Sequence, residues 1–374
     1  MHLYTFVRPL LFQLDPEQAH DITFQLARWI PAPMLAIVKA SLAFEDDRLK
    51  QTVWGQTFPN PVGIAAGLDK NGVLLPLWEA IGAGFIEIGS ITARPSRGNP
   101  SPRLFRLPEA RALINRMGLN NEGAERIARR LRFIEKRPSI PLGINIAKTH
   151  DPNILGSSAI EDFRYSFCQM APLADYIAVN ISCPNTAEGK TFEEPEALQT
   201  LLDILFEERE NLKSEVPVLL KWSPPPSTEI PPQFDELLRV ARTFPVSGFI
   251  ATNTASDRQG LEIPREKLQR IGPGGLSGRP LRSRAVALTR YLYEQTQGTL
   301  PIIGVGGIDS ADAAYERIRA GASLVQVFTG LIYEGPGLIH DIKKGLIQRL
   351  TADGYAHIQE AIGADTRTEA PVSS

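Results

Sequence analysis

The sequence predicts an α/β chain folded as a (β/α)8 barrel with an N-terminal helical extension. Eight short β-branched runs recur along it, at 61–66, 84–89, 142–147, 176–181, 216–222, 248–252, 301–305 and 323–328. Most are nearly continuous apolar runs, the pattern of strands buried on both faces of a parallel sheet. Helical spacing separates most of them, at 74–81, 122–133, 195–208, 232–243, 283–297 and 310–320. Polar and glycine-rich residues cluster directly after the runs: Gly67 to Lys70, Asn180 to Asn185, Lys221, Thr252 to Thr254, Gly306 with Gly307, and Thr329 with Gly330. Repeated βα units in sequence favour a closed barrel over an open doubly wound sheet, and in a barrel those strand ends share one face.

The first fifty residues do not follow that repeat. Asp15 and Pro16 suit an N-cap and first helical position, and Ala19, Ile22, Leu26 and Ile30 then fall on one face. A second stretch, 34–44, is apolar except for Lys39 and Ser41 and is too short to cross a bilayer. Two readings stay open: the helices lie in a membrane interface with their apolar surface in lipid, or they pack on the barrel. Further on, Ser310 suits a helix N-cap and Gly321 a C-terminal stop. Cys168 falls in a helical stretch and is given no chemistry.

Bulk properties narrow the classes. The chain has 374 residues, 43% hydrophobic and 22% charged, enough for a sizeable core. A net charge of -2 excludes a general polycation, so nucleic acid is not an expected partner. Cys168 and Cys183 are too few for a disulfide framework and fit a reducing cytosol. There is no run of about 18 uncharged apolar residues, so no spanning helix is expected, and no leader pattern points to secretion. No metal site is expected. The expected organisation is a helical segment over 1–50, a barrel over 51–360 and a disordered tail over 361–374.

Chemistry enters at the strand ends. The segment 301–309, P-I-I-G-V-G-G-I-D, places adjacent glycines after a buried strand, where backbone can approach a ligand closely. In barrels the loops after strands seven and eight often hold a phosphate, and 328–330 (F-T-G) supplies the second loop. A plain tight turn is the alternative. Lys221 ends an apolar strand, so its cation either stabilises an anionic reduced flavin or snorkels at a strand end. Asn115, Asn145, Asn180, Asn185 and Asn253 lie at or near strand ends. Converging amides suit a flat ring with alternating N–H and C=O groups, such as a pyrimidine, although any one asparagine can be a turn residue. Lys70 either meets a substrate carboxylate or is simply exposed. Cys183, in N-I-S-C-P-N-T, leaves a strand among polar groups; it is read as a proton-accepting thiol rather than an inert buried one.

The motifs A-A-G-L-D-K at 65–70, N-R-M-G-L-N-N at 115–121, N-I-S-C-P-N-T at 180–186, A-T-N-T at 251–254, G-G-L-S-G-R-P-L at 274–281 and P-I-I-G-V-G-G-I at 301–308 together resemble the dihydroorotate dehydrogenase family. The resemblance covers roughly residues 1–350, and the N-terminal F-V-R-P-L-L-F-Q-L-D-P-E-Q-A-H resembles the extension of its quinone-dependent, membrane-associated class. It implies oxidation of dihydroorotate to orotate, with FMN as cofactor and a membrane quinone as electron acceptor. It implies peripheral contact with the cytoplasmic side of the cell membrane through residues 1–50, and no obligate protein partner. The residues matching its FMN positions are Ala65, Ala66, Gly67, Leu68, Asp69, Ser90, Asn145, Asn180, Lys221, Thr252, Gly278, Gly307, Phe328 and Thr329. Those matching its orotate positions are Lys70, Asn115, Arg116, Met117, Gly118, Leu119, Asn180, Asn185, Asn253 and Thr254. Cys183 matches the catalytic base, and His20 and Arg106 the quinone entrance.

Two positions depart from the quinone class. Its usual base is serine where this chain has Cys183, and its usual tyrosine is replaced by Phe328. Fumarate or a nicotinamide is therefore the alternative acceptor, and an inactive flavin-binding scaffold the reading from a different class.

Overall fold

A computed structural model describes residues 4–134, 137–182 and 191–367. Eight parallel strands close into a barrel: Val62–Ile64, Phe85–Ile91, Leu142–Ile146, Tyr176–Asn180, Val218–Trp222, Gly248–Ala251, Ile302–Val305 and Leu324–Val327. Each pairs with its neighbours in chain order, and the eighth returns to the first through Val325 opposite Val62 and Val327 opposite Ile64. All eight coincide with the expected runs, the second continuing to Ile91.

The barrel interior is packed, not hollow. Phe85, Tyr176, Leu219, Ile250, Ile303 and Leu324 fill it, as layered inward side chains do in this architecture. Gly143 makes room for one of them, because a Cβ there would overlap the Tyr176 ring. A short antiparallel hairpin, Gln51–Val53 with Gln56–Phe58, caps the N-terminal end of the barrel. Its Phe58 meets Phe85 edge-on at 5.5 Å between centroids, and Trp54 Nε1 donates to the Ser247 carbonyl at 2.8 Å.

The surrounding helices follow the expected segments. Ser310 Oγ accepts from the Ala313 N–H at 3.2 Å, so it is the N-cap of Ala311–Arg319. Gly321, at φ +121°, ends that turn with its N–H on the Ile318 carbonyl. Cys168 sits in the helix Ser157–Met170, where burial and then the Glu208 carboxylate push its thiol up to about 11. A thiol held protonated in that way is a poor base or nucleophile at neutral pH.

Over the C-terminal face of the barrel lies an element without a local sequence signal. Leu104–Leu107, Ala112–Asn115 and Gly275–Gly278 form a three-stranded antiparallel sheet. Leu107, Ile114, Leu276 and Leu281 pack in a separate apolar cluster there.

The extension is three helices: α1 (Tyr4–Leu11), α2 (Pro16–Arg28) and α3 (Ala32–Leu42). Asp15 caps α2, its carboxylate accepting from the Glu17 and Gln18 N–H groups, with Pro16 at the first position. Polar ties hold the extension to the barrel: Tyr4 Oη donates to the Ile332 carbonyl at 2.6 Å, Arg8 to the Tyr333 carbonyl at 2.7 Å, and Arg103 pairs with Glu17. None of the described helices is long and apolar enough to cross a membrane.

Part of the segment expected as a disordered tail over 361–374 is ordered. Ala361 closes the helix Ile358–Ala361, and Ala364–Thr366 forms a 3-10 turn. The Gly363 N–H donates to the Ile318 carbonyl, and Ile358 and Ala361 are fully buried, so apolar packing overrides the polar composition.

Candidate active site

One cavity of about 750 Å³ runs from the C-terminal mouth of the barrel to the extension. Its inner part is walled by strand-end loops, its outer part by apolar side chains of α1 to α3 such as Val7, Leu11, Phe24 and Val38.

The seventh and eighth loops form one wall. Gly306 and Gly307 sit at φ +108° and +75° and Gly278 at +98°, backbone that strongly favours glycine. A Cβ on Gly307 would come within 2.6 Å of Arg282 Cβ. Gly330 brings the eighth loop against the Ile308 carbonyl, leaving no space for a side chain. Thr329 Oγ1 lies 2.9 Å from Ser277 Oγ, linking this wall to the overlying sheet.

The floor is a buried polar network. Lys221 Nζ lies 3.4 Å from Glu87 Oε1, with Glu87 wholly and Lys221 almost wholly buried. Asn145 donates to the same oxygen at 3.0 Å; Tyr176 Oη and Gln326 Nε2 donate to the other at 3.1 and 2.7 Å. Because a carboxylate only accepts, it fixes the Gln326 amide with nitrogen down. Gln326 lines the cavity, and its Oε1 is buried without a partner. A second chain of amides joins it: Ser90 Oγ donates to Asn145 Oδ1 and accepts from Asn180 Nδ2, and Asn253 Nδ2 donates to Asn180 Oδ1 and the Ser182 carbonyl.

At the outer edge Lys70 faces the cavity. Removal from bulk water, then the nearby Arg103 charge, lowers its pKa to about 8 against the opposing pull of Glu17 and Asp21. His20 stacks on Phe24 at 4.1 Å, and burial followed by the Lys70 charge lowers it to about 4, so its imidazole is neutral at physiological pH. The Lys70 ammonium, the cation this end of the cavity offers to an anion, is lost as pH rises through about 8. The Michaelis constant for an anionic substrate should therefore climb above that pH, approaching about tenfold per unit. Steady-state kinetics on Lys70→Gln check this: the climb should vanish and the constant start high.

The structure gathers most of the expected residues here. Ala65, Ala66, Gly67, Leu68, Ser90, Asn180, Lys221, Thr252, Gly278, Gly307, Phe328 and Thr329 line the cavity, as do Lys70, Asn115, Met117, Gly118, Leu119, Asn253, Thr254, His20 and Arg106. Three do not. The Asp69 carboxylate is buried and turned away, accepting from the Val73 and Leu74 N–H groups and from Trp78 Nε1, so it shapes the 67–70 loop instead. Asn145 lies one layer below, spent on Ser90 and Glu87. Arg116 points outward, donating to the Ile271 and Pro273 carbonyls with its guanidinium over Phe105. Cys183 and Asn185 lie outside the described residues. Arg106 donates to the Leu11 and Leu14 carbonyls, pinning the α1–α2 turn at the outer end. The sequence reading missed Glu87 and Gln326, although each is the one strongly polar side chain in an apolar strand core, F-I-E-I and L-V-Q-V.

The family model for dihydroorotate dehydrogenase matches residues 48–350, which span the whole barrel. The chain belongs to the dihydroorotate dehydrogenase family. Among its relatives, a protein of Roseiflexus sp. (strain RS-1) named dihydroorotate dehydrogenase (quinone) is 45% identical over 363 residues, covering 96% of this chain and 98% of that one. One of the same name from Nostoc sp. is 40% identical, covering 98% of this chain and 100% of that one. Among solved structures, the ligand-free enzyme of this family from Eimeria tenella superposes with a TM-score of 0.84 at 32% identity, covering 95% of this chain and 100% of that one. Its complex with ferulenol gives 0.83 at 33% identity, covering 95% and 96%.

Proposed function

We propose that this chain oxidises (S)-dihydroorotate to orotate in de novo pyrimidine (UMP) synthesis, with FMN as the first electron acceptor and a membrane quinone as the second. The observation that carries the reading is the single cavity joining the barrel mouth to the three-helix extension. A redox site that serves a water-soluble substrate at one end and an apolar acceptor at the other needs that shape.

The residues present fit FMN. The glycine-built wall suits a phosphate, and the unpartnered Gln326 Oε1 supplies an acceptor for a ring N–H. Lys221 offers a buried cation to the pyrimidine end of the isoalloxazine. FMN held by these residues would supply a hydride acceptor for C6 of dihydroorotate and a relay of electrons to a quinone. The chain does the rest. Lys70 holds the carboxylate; Asn115, Asn253 and Thr254 line the pocket for the ring amides. Cys183 takes the C5 proton onto Sγ as the C6 hydride leaves.

Residues 1–50 act as the membrane-contact and quinone-access segment, on the cytoplasmic side of the cell membrane, and residues 51–360 as the catalytic barrel. Leu10, Leu26, Trp29, Met34 and Ile37 are all more than half exposed on the extension, with Trp29 at 86%. Exposed apolar side chains of that size suit an interaction surface, and apolar helix faces with a flanking tryptophan suit the lipid interface. Nucleic acid and an obligate protein partner have no place in this reading.

The test is anaerobic. Purified protein carrying FMN should bleach on mixing with dihydroorotate and recover its colour with a short-chain quinone. Recovery with fumarate or a nicotinamide instead would replace the proposed acceptor, and no bleaching would remove the activity altogether. Removing residues 1–45 should leave bleaching intact and reduce quinone turnover at least about tenfold, measured with liposome-bound quinone.

A further inference from the structure

Arg317 is a fully buried arginine on the helix Ala311–Arg319, directly behind the seventh-strand loop. Its Nη1 donates to the carbonyls of Ala251 and Val305 at 3.3 and 3.2 Å, and its Nη2 to those of Gly306 and Arg282 at 2.9 and 3.4 Å. Among the described residues no carboxylate lies within ion-pair distance of it. The neighbouring arginines differ: Arg111 and Arg279 pair with Asp309, Arg282 with Glu316, and Arg284 with Asp257. Burial lowers the Arg317 pKa to about 9, so it stays protonated at neutral pH.

Four carbonyl dipoles solvate this guanidinium but do not cancel its unit charge. A buried cation without a counter-ion is unfavourable, which makes the site receptive to an anion nearby. The charge sits behind Gly306, and Gly306 and Gly307 line the cavity. It also orients the loop. With the Val305 and Gly306 carbonyls turned toward Arg317, the N–H groups of Gly306 and Gly307 turn away from it, because N–H and C=O oppose each other across a trans peptide. The donors then face away from the charge, which lies behind them and adds its attraction for an anion in front of the loop, where bulk water screens little.

We infer that Arg317 makes this site select a phosphorylated flavin over its unphosphorylated counterpart, as the buried counter-charge to the phosphate held by the Gly306–Gly307 loop. Arg317 does not touch the cofactor; it is a positioning and specificity residue acting through the loop. The inference rests on the FMN reading above and adds which residue sets the preference.

The test strips the flavin and titrates the apoprotein with FMN and with riboflavin, following flavin fluorescence. The wild type should prefer FMN. Arg317→Gln, which can still donate to carbonyls but carries no charge, should lose about tenfold or more in FMN affinity and leave riboflavin affinity level. Arg317→Lys, which keeps the charge but cannot bridge four carbonyls, should keep most of the preference. Loss of preference in Arg317→Lys would overturn the inference by showing that the fork alone matters, and this variant decides the question even if Arg317→Gln does not fold. A parallel loss of both flavins in Arg317→Gln, or an unchanged preference, would also overturn it while leaving FMN binding by the wild type standing. Wild-type protein that binds neither flavin would instead sink the FMN reading itself and this inference with it.

Discussion

Cys183→Ala should slow anaerobic flavin reduction by dihydroorotate about 10²–10⁴-fold, the usual contribution of a general base, while FMN binding and reoxidation by quinone stay intact. Ser182 is buried at the end of the fourth strand, its Oγ donating to the Lys221 carbonyl at 2.9 Å and its own carbonyl accepting from Asn253 at 2.8 Å. The chain therefore leaves this anchor beside the floor of the cavity, and position 183 is the next residue. A free thiol titrates near ~8.5, and only the thiolate accepts a proton. The reduction rate at saturating dihydroorotate should thus rise with pH toward that value. Lys70 works in the opposite direction, because its ammonium is lost above about 8 and binding weakens. The rate constant at saturation should climb while its ratio to the Michaelis constant turns over, and stopped-flow reduction across pH separates the two. Cys183→Ser replaces the thiol with a hydroxyl that does not titrate in this range, so the climb should disappear. A climb that persists in the serine variant would assign the proton to another group.

How much of this was legible in the sequence depends on the range of the forces involved. Strands buried on both faces must be apolar throughout, so all eight barrel strands could be read from local runs, and Ser310 and Asp15 announced their caps through local hydrogen bonding. The three-stranded sheet could not be read, because Gly275–Gly278 pairs with Ala112–Asn115 across a long stretch of chain and neither segment carries a hairpin turn to its partner. Motifs located the site residues but not the direction of their side chains. Asp69 and Arg116 sit within the right motifs and Asn145 at a strand end, yet each is drawn aside by nearby backbone or side-chain partners, a choice made only once those partners are in place. Conversely, Glu87 and Gln326 carried a signal that periodicity reasoning overlooks: a charge or amide within a run where both faces are buried must have a partner inside the barrel.

Glu87→Gln should destabilise the apoprotein by about 3–5 kcal/mol, the cost of leaving one member of a buried ion pair alone. The carboxylate at Glu87 gathers Lys221, Asn145, Tyr176 and Gln326. An amide of the same shape supplies one acceptor where these groups need two, and leaves the Lys221 ammonium buried without a counter-charge. It also presents its own N–H₂ to groups that are already donors. Gln326 is then free to turn over, which would direct its N–H₂ rather than its Oε1 into the cavity. Equilibrium denaturation of the apoprotein measures the first effect, and the reduction potential of the bound flavin the second. The double variant Glu87→Gln with Lys221→Met separates them. With both charges gone it should recover much of the lost stability, since replacing a buried pair as a unit is often close to neutral. It should not recover the flavin potential, because the cation proposed to stabilise the reduced ring is missing. A Glu87→Gln protein as stable as the wild type would mean that Lys221 needs no counter-charge and that the network is not what holds it in place. Recovery of stability and potential together in the double variant would mean that the pair serves packing alone.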